Sequence, residues 1–156
     1  MSDSGLVRAT ESLAQLARRV ESLQARCAAE LAARSRRAEG DDLARKHGFA
    51  SPERLIAQAT GRRYSDAARL VAVGEATAKR ASFTGESLPA RRPRLAAALG
   101  VGAICVDAAE LIRRFLDGIA PRADRDLLDA AEELLVDRAP LVGVDGLVRL
   151  VKELEA

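Results

Sequence analysis

Residues 6–38 contain neither glycine nor proline, and good helix formers fill them from end to end. No other stretch of the chain is uninterrupted for so long, so a long N-terminal helix is the first element any fold of this sequence must accommodate. Within it Leu6, Leu13, Val20 and Cys27 recur every seven residues, and Ala9, Leu16 and Leu23 follow the first three by three residues. That is an a/d heptad pattern lasting about three heptads. It has two readings, and both stay open here. One is a coiled-coil homodimer with Leu13, Leu16, Val20 and Leu23 at its interface. The other is an amphipathic helix packed on its own domain. The flanking positions Thr10, Ser12, Ala17, Arg19, Gln24 and Arg26 supply no complementary ion pairs for the first. Cys27, on the apolar stripe, reads as a core residue rather than a nucleophile.

Beyond this helix the punctuation is regular. Gly40 breaks the helix, and Asp41 or Asp42 caps a short one that ends at His47 before Gly48. Ser51 caps the next, with Pro52 at its first position and Glu53 in the first turn. Gly61 allows a turn, and Ser65 caps a further helix whose Ala67, Leu70, Val71, Gly74 and Ala78 share one face. Residues 81–93 read as a connecting loop, followed by helices near 94–100, 106–117, 123–137 and 145–155, with Pro121, Pro140 and Gly143 between the last three. No segment alternates as a strand does, and the aromatics are limited to Phe49, Tyr64, Phe83 and Phe115. The fold class is therefore all-α: a multi-helix domain with a long N-terminal amphipathic helix. It divides into residues 1–39, the long helix and candidate dimerisation element, and 40–156, a helical domain packed with that helix as one unit.

A helix-glycine-helix unit occurs twice. Arg54-Leu55-Ile56-Ala57 precedes Gly61 and Asp66 to Val71, while Arg94-Leu95-Ala96-Ala97 precedes Gly102 and Asp107 to Ile112. Repeated helix-turn-helix-like hairpins would give this echo with no ligand involved. In the first copy Ala57, Gly61, Ala67 and Leu70 also satisfy the skeleton of a DNA-binding helix-turn-helix: a small residue in the first helix, a glycine at the turn and an apolar inner face. Asp66, Arg69 and Val73 would then face outward, with Arg62 and Arg63 at the turn, where arginine can contact phosphate or guanine. The second copy offers Asp107 and Glu110 instead, so the skeleton alone is a packing solution. A second basic cluster is Arg91, Arg92 and Arg94; a third is Arg34, Arg36 and Arg37.

The charge distribution agrees with such a division. The net charge is +2, but residues 1–100 hold 18 Lys/Arg against 11 Asp/Glu and residues 101–156 hold 7 against 12. A nucleic-acid-facing half and a non-binding half would show this asymmetry, and so would an uneven solvated surface. A chain of 156 residues buries roughly 70% of its unfolded surface, enough for a single core. No run approaches the roughly 18 apolar residues of a membrane span, the N-terminus lacks secretory-signal features, and two cysteines without a CxxC pair fit a reducing cytoplasm.

Catalytic groups are scarce. The sole histidine, His47, suits a helix C-terminus; no second histidine or cysteine cluster exists for zinc, and no carboxylate group is arranged for magnesium. Glu132 and Glu133 read as solvent-facing on an acidic helix. The expectation is a non-catalytic chain with no cofactor and no metal.

From about residue 40 onward the sequence resembles a helical domain of unknown function, number 222 in domain catalogues, also called the thirteen-E-twelve repeat family. The stretches that carry the resemblance are HGFASPERLIAQATG, AARLVAVGEA and above all FTGESLPARRPRLAAALGVGAICVDAAELI, where the Thr-Gly-Glu-x-Leu-Pro run is the most specific part. Cys105 departs from the small hydroxyl residue often found there. The resemblance implies a domain placed before an HNH endonuclease module in high-GC Gram-positive bacteria. None of the HNH metal constellation is present, so no catalytic residue carries over. The expected function is a DNA-binding or DNA-positioning domain acting on double-stranded DNA beside a C-terminal nuclease module in the parent protein. Arg62, Arg63 and Arg69 would be its main contacts, with Arg91, Arg92 and Arg94 secondary. The alternative is a protein-interaction or homodimerisation module without DNA contact.

Overall fold

The structure, a computed structural model, describes residues 2–36 and 42–156. The sequence expectations for Arg37, Gly40 and Asp41 lie outside the described residues. Among the described residues seven helices account for nearly all of the regular structure: α1 (Asp3–Ser35), α2 (Leu43–Lys46), α3 (Pro52–Thr60), α4 (Tyr64–Thr77), α5 (Pro93–Gly100), α6 (Val106–Ile119) and α7 (Arg125–Glu155). The protein is all-α, with the long N-terminal helix as expected. The chain forms two compact units, one of residues 24–93 and one of residues 1–23 with 94–156.

Helix α1 carries two stripes of different chemistry. Ser22, Ala25, Ala28, Ala29, Ala32 and Ser35 are buried, while Leu6, Leu13, Leu16, Val20 and Leu23 are exposed. At 100° per residue the two sets point to different arcs, and they occupy successive lengths of the helix, the buried set at residues 22–35 and the exposed set at 6–23. Own-chain packing therefore uses the alanine-serine face, because small side chains let other backbone approach closely. The heptad stripe is not the core face of this domain. Cys27, read from the sequence as a core residue, is likewise exposed.

In the unit of residues 24–93, α1 lies close enough to α4 that a Cβ on Gly74 would sit 2.0 Å from the Ala25 carbonyl oxygen. Ile56, Ala67, Leu70, Val71 and Val73 fill the core beside it. Helix α2 begins at Asp42, whose side chain accepts from the Arg45 amide at 3.1 Å. The Ser35 hydroxyl accepts from the Ala44 amide at 3.1 Å, which ties α2 to the end of α1. The loop expected over 81–93 contains a minimal hairpin instead. Strand β1 (Arg80–Ala81) pairs antiparallel with β2 (Ser87–Leu88). Two-residue strands are too short to show alternation, and Gly85 at φ 83° makes the reversal.

In the unit of residues 1–23 and 94–156, Leu95, Leu99, Ile112, Leu116, Leu135 and Leu147 form the buried core. The α5–α6 turn rests on α1: Arg18 Nε donates to the Gly102 carbonyl at 2.6 Å and Arg19 Nε to the Val101 carbonyl at 3.2 Å. On α6, Arg113 lies between Glu110 and Asp117, each at 2.8 Å. The hydrogen bonds Arg113 donates to Glu110, then the two negative charges, raise its pKa above the ordinary arginine value against the opposing effect of burial. Glu132 corrects the sequence reading. It is buried, not solvent-facing, and its carboxylate accepts from the Leu95 amide at 2.9 Å, so α7 caps the N-terminus of α5. Pro140 does not end α7 either, since it sits within a helical run. The break falls at Gly143, whose backbone (φ 66°, ψ −178°) is the non-helical point in the element.

The internal echo is seen in the two connections, each of which holds a left-handed glycine although residues 61–63 and 101–105 differ in length. Helices α3 and α4 are joined through Gly61 at φ 67°, and α5 and α6 through Gly102 at φ 73°.

Candidate nucleic-acid interface

The Gly61 turn is built by local chemistry. Ser51 caps α3 by accepting from the Arg54 amide at 3.3 Å, and Pro52 occupies the first turn. Both the Gly61 and Arg62 amides donate to the Ala57 carbonyl, which closes the helix end. A Cβ on Gly61 would meet nothing within 4 Å, so glycine is needed there for its left-handed backbone and not for space. The next helix starts earlier than the sequence suggested. Arg63, not Ser65, is the N-cap of α4, and it does so without a side-chain hydrogen bond. The turn already supplies the Arg63 carbonyl as acceptor for the Asp66 and Ala67 amides, so no hydroxyl cap is required. Its guanidinium is left exposed on the surface.

Around this turn lies an open groove of about 620 Å³ lined by Phe49, Arg54, Ala57, Gln58, Gly61, Arg62 and Tyr64. Arg54, Gln58, Arg62, Arg63 and Tyr64 are exposed and Phe49 is half-buried. Arg62 Nη2 reaches Gln24 Oε1 at 3.2 Å, which orients its side chain over the end of the turn. Arg54 and Gln58 are one helical turn apart and so share a face of α3. A reading centred on the outer face of α4 passes over them. The signal was the i, i+4 spacing of two polar groups just before the turn glycine.

The α4 face itself is not available for groove reading. Val73, placed outward by the sequence reading, is fully buried, and Gly74 beside it packs against α1. The helix is covered on more than one side, because the helix-turn-helix skeleton fixes only the face turned toward α3 and leaves the third helix unspecified. Arg69 is half-exposed and paired within its own helix with Asp66 at 3.5 Å. Among the remaining cationic residues Arg91 is exposed, whereas Arg92 is buried at 6% exposure. Arg94 belongs to the other compact unit, where it pairs with Glu133 at 3.1 Å. The structure thus gathers Arg62 and Arg63, adds Arg54, and gives Arg92 and Arg94 other surroundings. Leu13, Leu16, Val20 and Leu23 are exposed by 66%, 58%, 46% and 55%.

Charge also differs between the two units, though less sharply than between residues 1–100 and 101–156. Residues 24–93 carry 14 Lys/Arg against 8 Asp/Glu, a net +6, and residues 1–23 with 94–156 carry 11 against 15, a net −4. Among the described residues no group of three or more His, Cys, Asp or Glu is placed to hold a metal ion, and no helix is long and apolar enough to cross a membrane.

The family model described as "Domain of unknown function (DUF222)" matches residues 7–156, nearly the whole chain. No curated protein and no solved structure matches it. The chain belongs to the DUF222 family.

Proposed function

From this DUF222 membership and the charge geometry, we propose that the chain is a non-catalytic DNA-contacting domain that positions an HNH-type nuclease module of its parent protein. The contact is made to backbone phosphates by the basic unit of residues 24–93, with Arg54, Arg62 and Arg63 around the Gly61 turn and Arg91 as a further cation. The observation that carries this reading is the concentration of net +6 in one compact unit that also presents these exposed guanidinium groups. Arginine at an exposed turn binds phosphate bidentately without reading sequence. The burial of Val73, on the arc a reading helix would turn outward, argues against insertion of α4 into a major groove, so the mode is backbone contact with little sequence preference. Arg69 and Arg94 contribute less, since each already faces a carboxylate.

The test is fluorescence anisotropy of a labelled duplex titrated with the chain between about 50 and 200 mM salt. Three phosphate contacts give a log-log salt slope of roughly −2.7. The Arg54/Arg62/Arg63→Ala variant should lose at least tenfold in affinity at the lower salt and most of that slope. Absence of binding, or equal binding by both proteins, would overturn the assignment and leave an interaction module without DNA contact.

A further inference from the structure

We propose that α1 pairs with α1 of a second copy of this chain, through a seam made of Leu6, Leu13, Leu16, Val20 and Leu23. All five are close to half-exposed or more, on the part of α1 where Arg18 and Arg19, from another arc, make the hydrogen bonds to the α5–α6 turn. Own-chain packing buries the Ala-Ser face of residues 22–35 and leaves the leucine stripe of residues 6–23 uncovered. The second stripe repeats every 3.5 residues, and that period suits a supercoiled helical partner rather than a flat or globular surface. A second copy carries the matching period by identity, and a two-fold axis makes the seam self-complementary.

The flanks permit the pairing. In a parallel, in-register pair the edge positions bring Arg19 opposite Gln24 and Ser12 opposite Ala17, with no like charges opposed. The span from Leu6 to Leu23 is about 26 Å of helix. Burying that strip on both copies reaches only the low end of specific interfaces, near ~1,200 Å² in total. Self-association is therefore concentration-dependent, with a Kd in the micromolar range. Helix α7 also exposes leucines, Leu127, Leu134 and Leu141, at intervals of seven. They form a single file without a second apolar row at d positions, so they lack the knobs a paired helix needs. The pairing of α1 does not depend on DNA contact.

Sedimentation velocity of the full chain across about 1 to 300 μM, a range that brackets a micromolar Kd, tests this against Leu16→Glu/Leu23→Glu. Both sites are exposed and Glu keeps helix propensity, so the variant retains its helical circular dichroism. A second variant, Leu141→Glu, changes a still more exposed leucine off the seam. The expected result is a monomer–dimer equilibrium in the wild type, unchanged in Leu141→Glu, and monomer throughout in the seam variant. A wild type that stays monomeric to the highest concentration, or a seam variant that still dimerises, overturns the proposal.

Discussion

The approach of α4 to α1 makes Gly74 the most exacting residue in the unit of residues 24–93. Replacing it with alanine adds one methyl group that would lie 2.0 Å from the Ala25 carbonyl oxygen, 2.8 Å from its carbon and 2.9 Å from the Ala29 Cβ. Ordinary contact begins near 3.4 Å, and two of the three opposing atoms are backbone, so no rotamer change relieves the clash. The helices must separate by more than an ångström, which loosens Ala67, Leu70 and Val71 with them. Overpacking of this kind costs about 1–3 kcal/mol or more, against a helix-propensity gain of about 1 kcal/mol for Gly→Ala. Because the obstruction is backbone, the upper part of that range applies, and the net loss is about 2 kcal/mol. Gly118 is the internal control. It lies in α6, is exposed, and a Cβ there meets nothing within 4 Å. Gly118→Ala should gain about 0.5–1 kcal/mol from propensity alone. Urea unfolding followed by circular dichroism reads both, and in melting temperature the Gly74 loss corresponds to a fall of roughly 4–8 °C. If Gly74→Ala proves as stable as the wild type, or gains as Gly118→Ala does, the α1–α4 contact is not as described.

Three further outcomes follow from single contacts. Glu132→Ala removes the acceptor for the buried Leu95 amide and should cost about 1–3 kcal/mol, while Glu132→Gln, which keeps an acceptor oxygen, should cost less; denaturant titration separates the two. Ser51→Ala deletes the α3 cap and should lose about 1 kcal/mol, with faster amide exchange at Arg54. Arg92→Ala, at a buried site, should lower the unfolding free energy, whereas Arg91→Ala, at an exposed one, should leave it unchanged within about 0.5 kcal/mol, both read by denaturant titration.

Much of the helical order is legible in the sequence because its punctuation is local. Ser51 with Pro52, and the glycines at 48, 61 and 102, each act on their own backbone, and the helices begin and end where they indicate. Legibility stops where burial is decided by a third element. Helical periodicity places Val73 opposite the α3-facing side of α4, yet nothing in a local window reveals that this side is buried too. The same blindness applies to α1, where alanine carries weak apolar weight beside leucine, so the eye follows the heptads while the chain buries the alanines. Glu132 is a similar case. An acidic residue on an amphipathic helix looks solvated until the amide of Leu95 arrives from 37 residues away. The arginine pairings of the candidate interface are mixed: Arg69 with Asp66 is visible at i, i+3, but Arg94 with Glu133 and Arg62 with Gln24 are not.

The claim that the basic unit contacts DNA backbone at the Gly61 turn is tested most directly by amide and arginine side-chain NMR of the full chain titrated with a short duplex. Phosphate contact at the turn should give perturbations centred on Arg54 and residues 61–64, extending to Arg91 and fading as salt rises. Shifts centred on the outer surface of α7, or none at any duplex concentration, would contradict it.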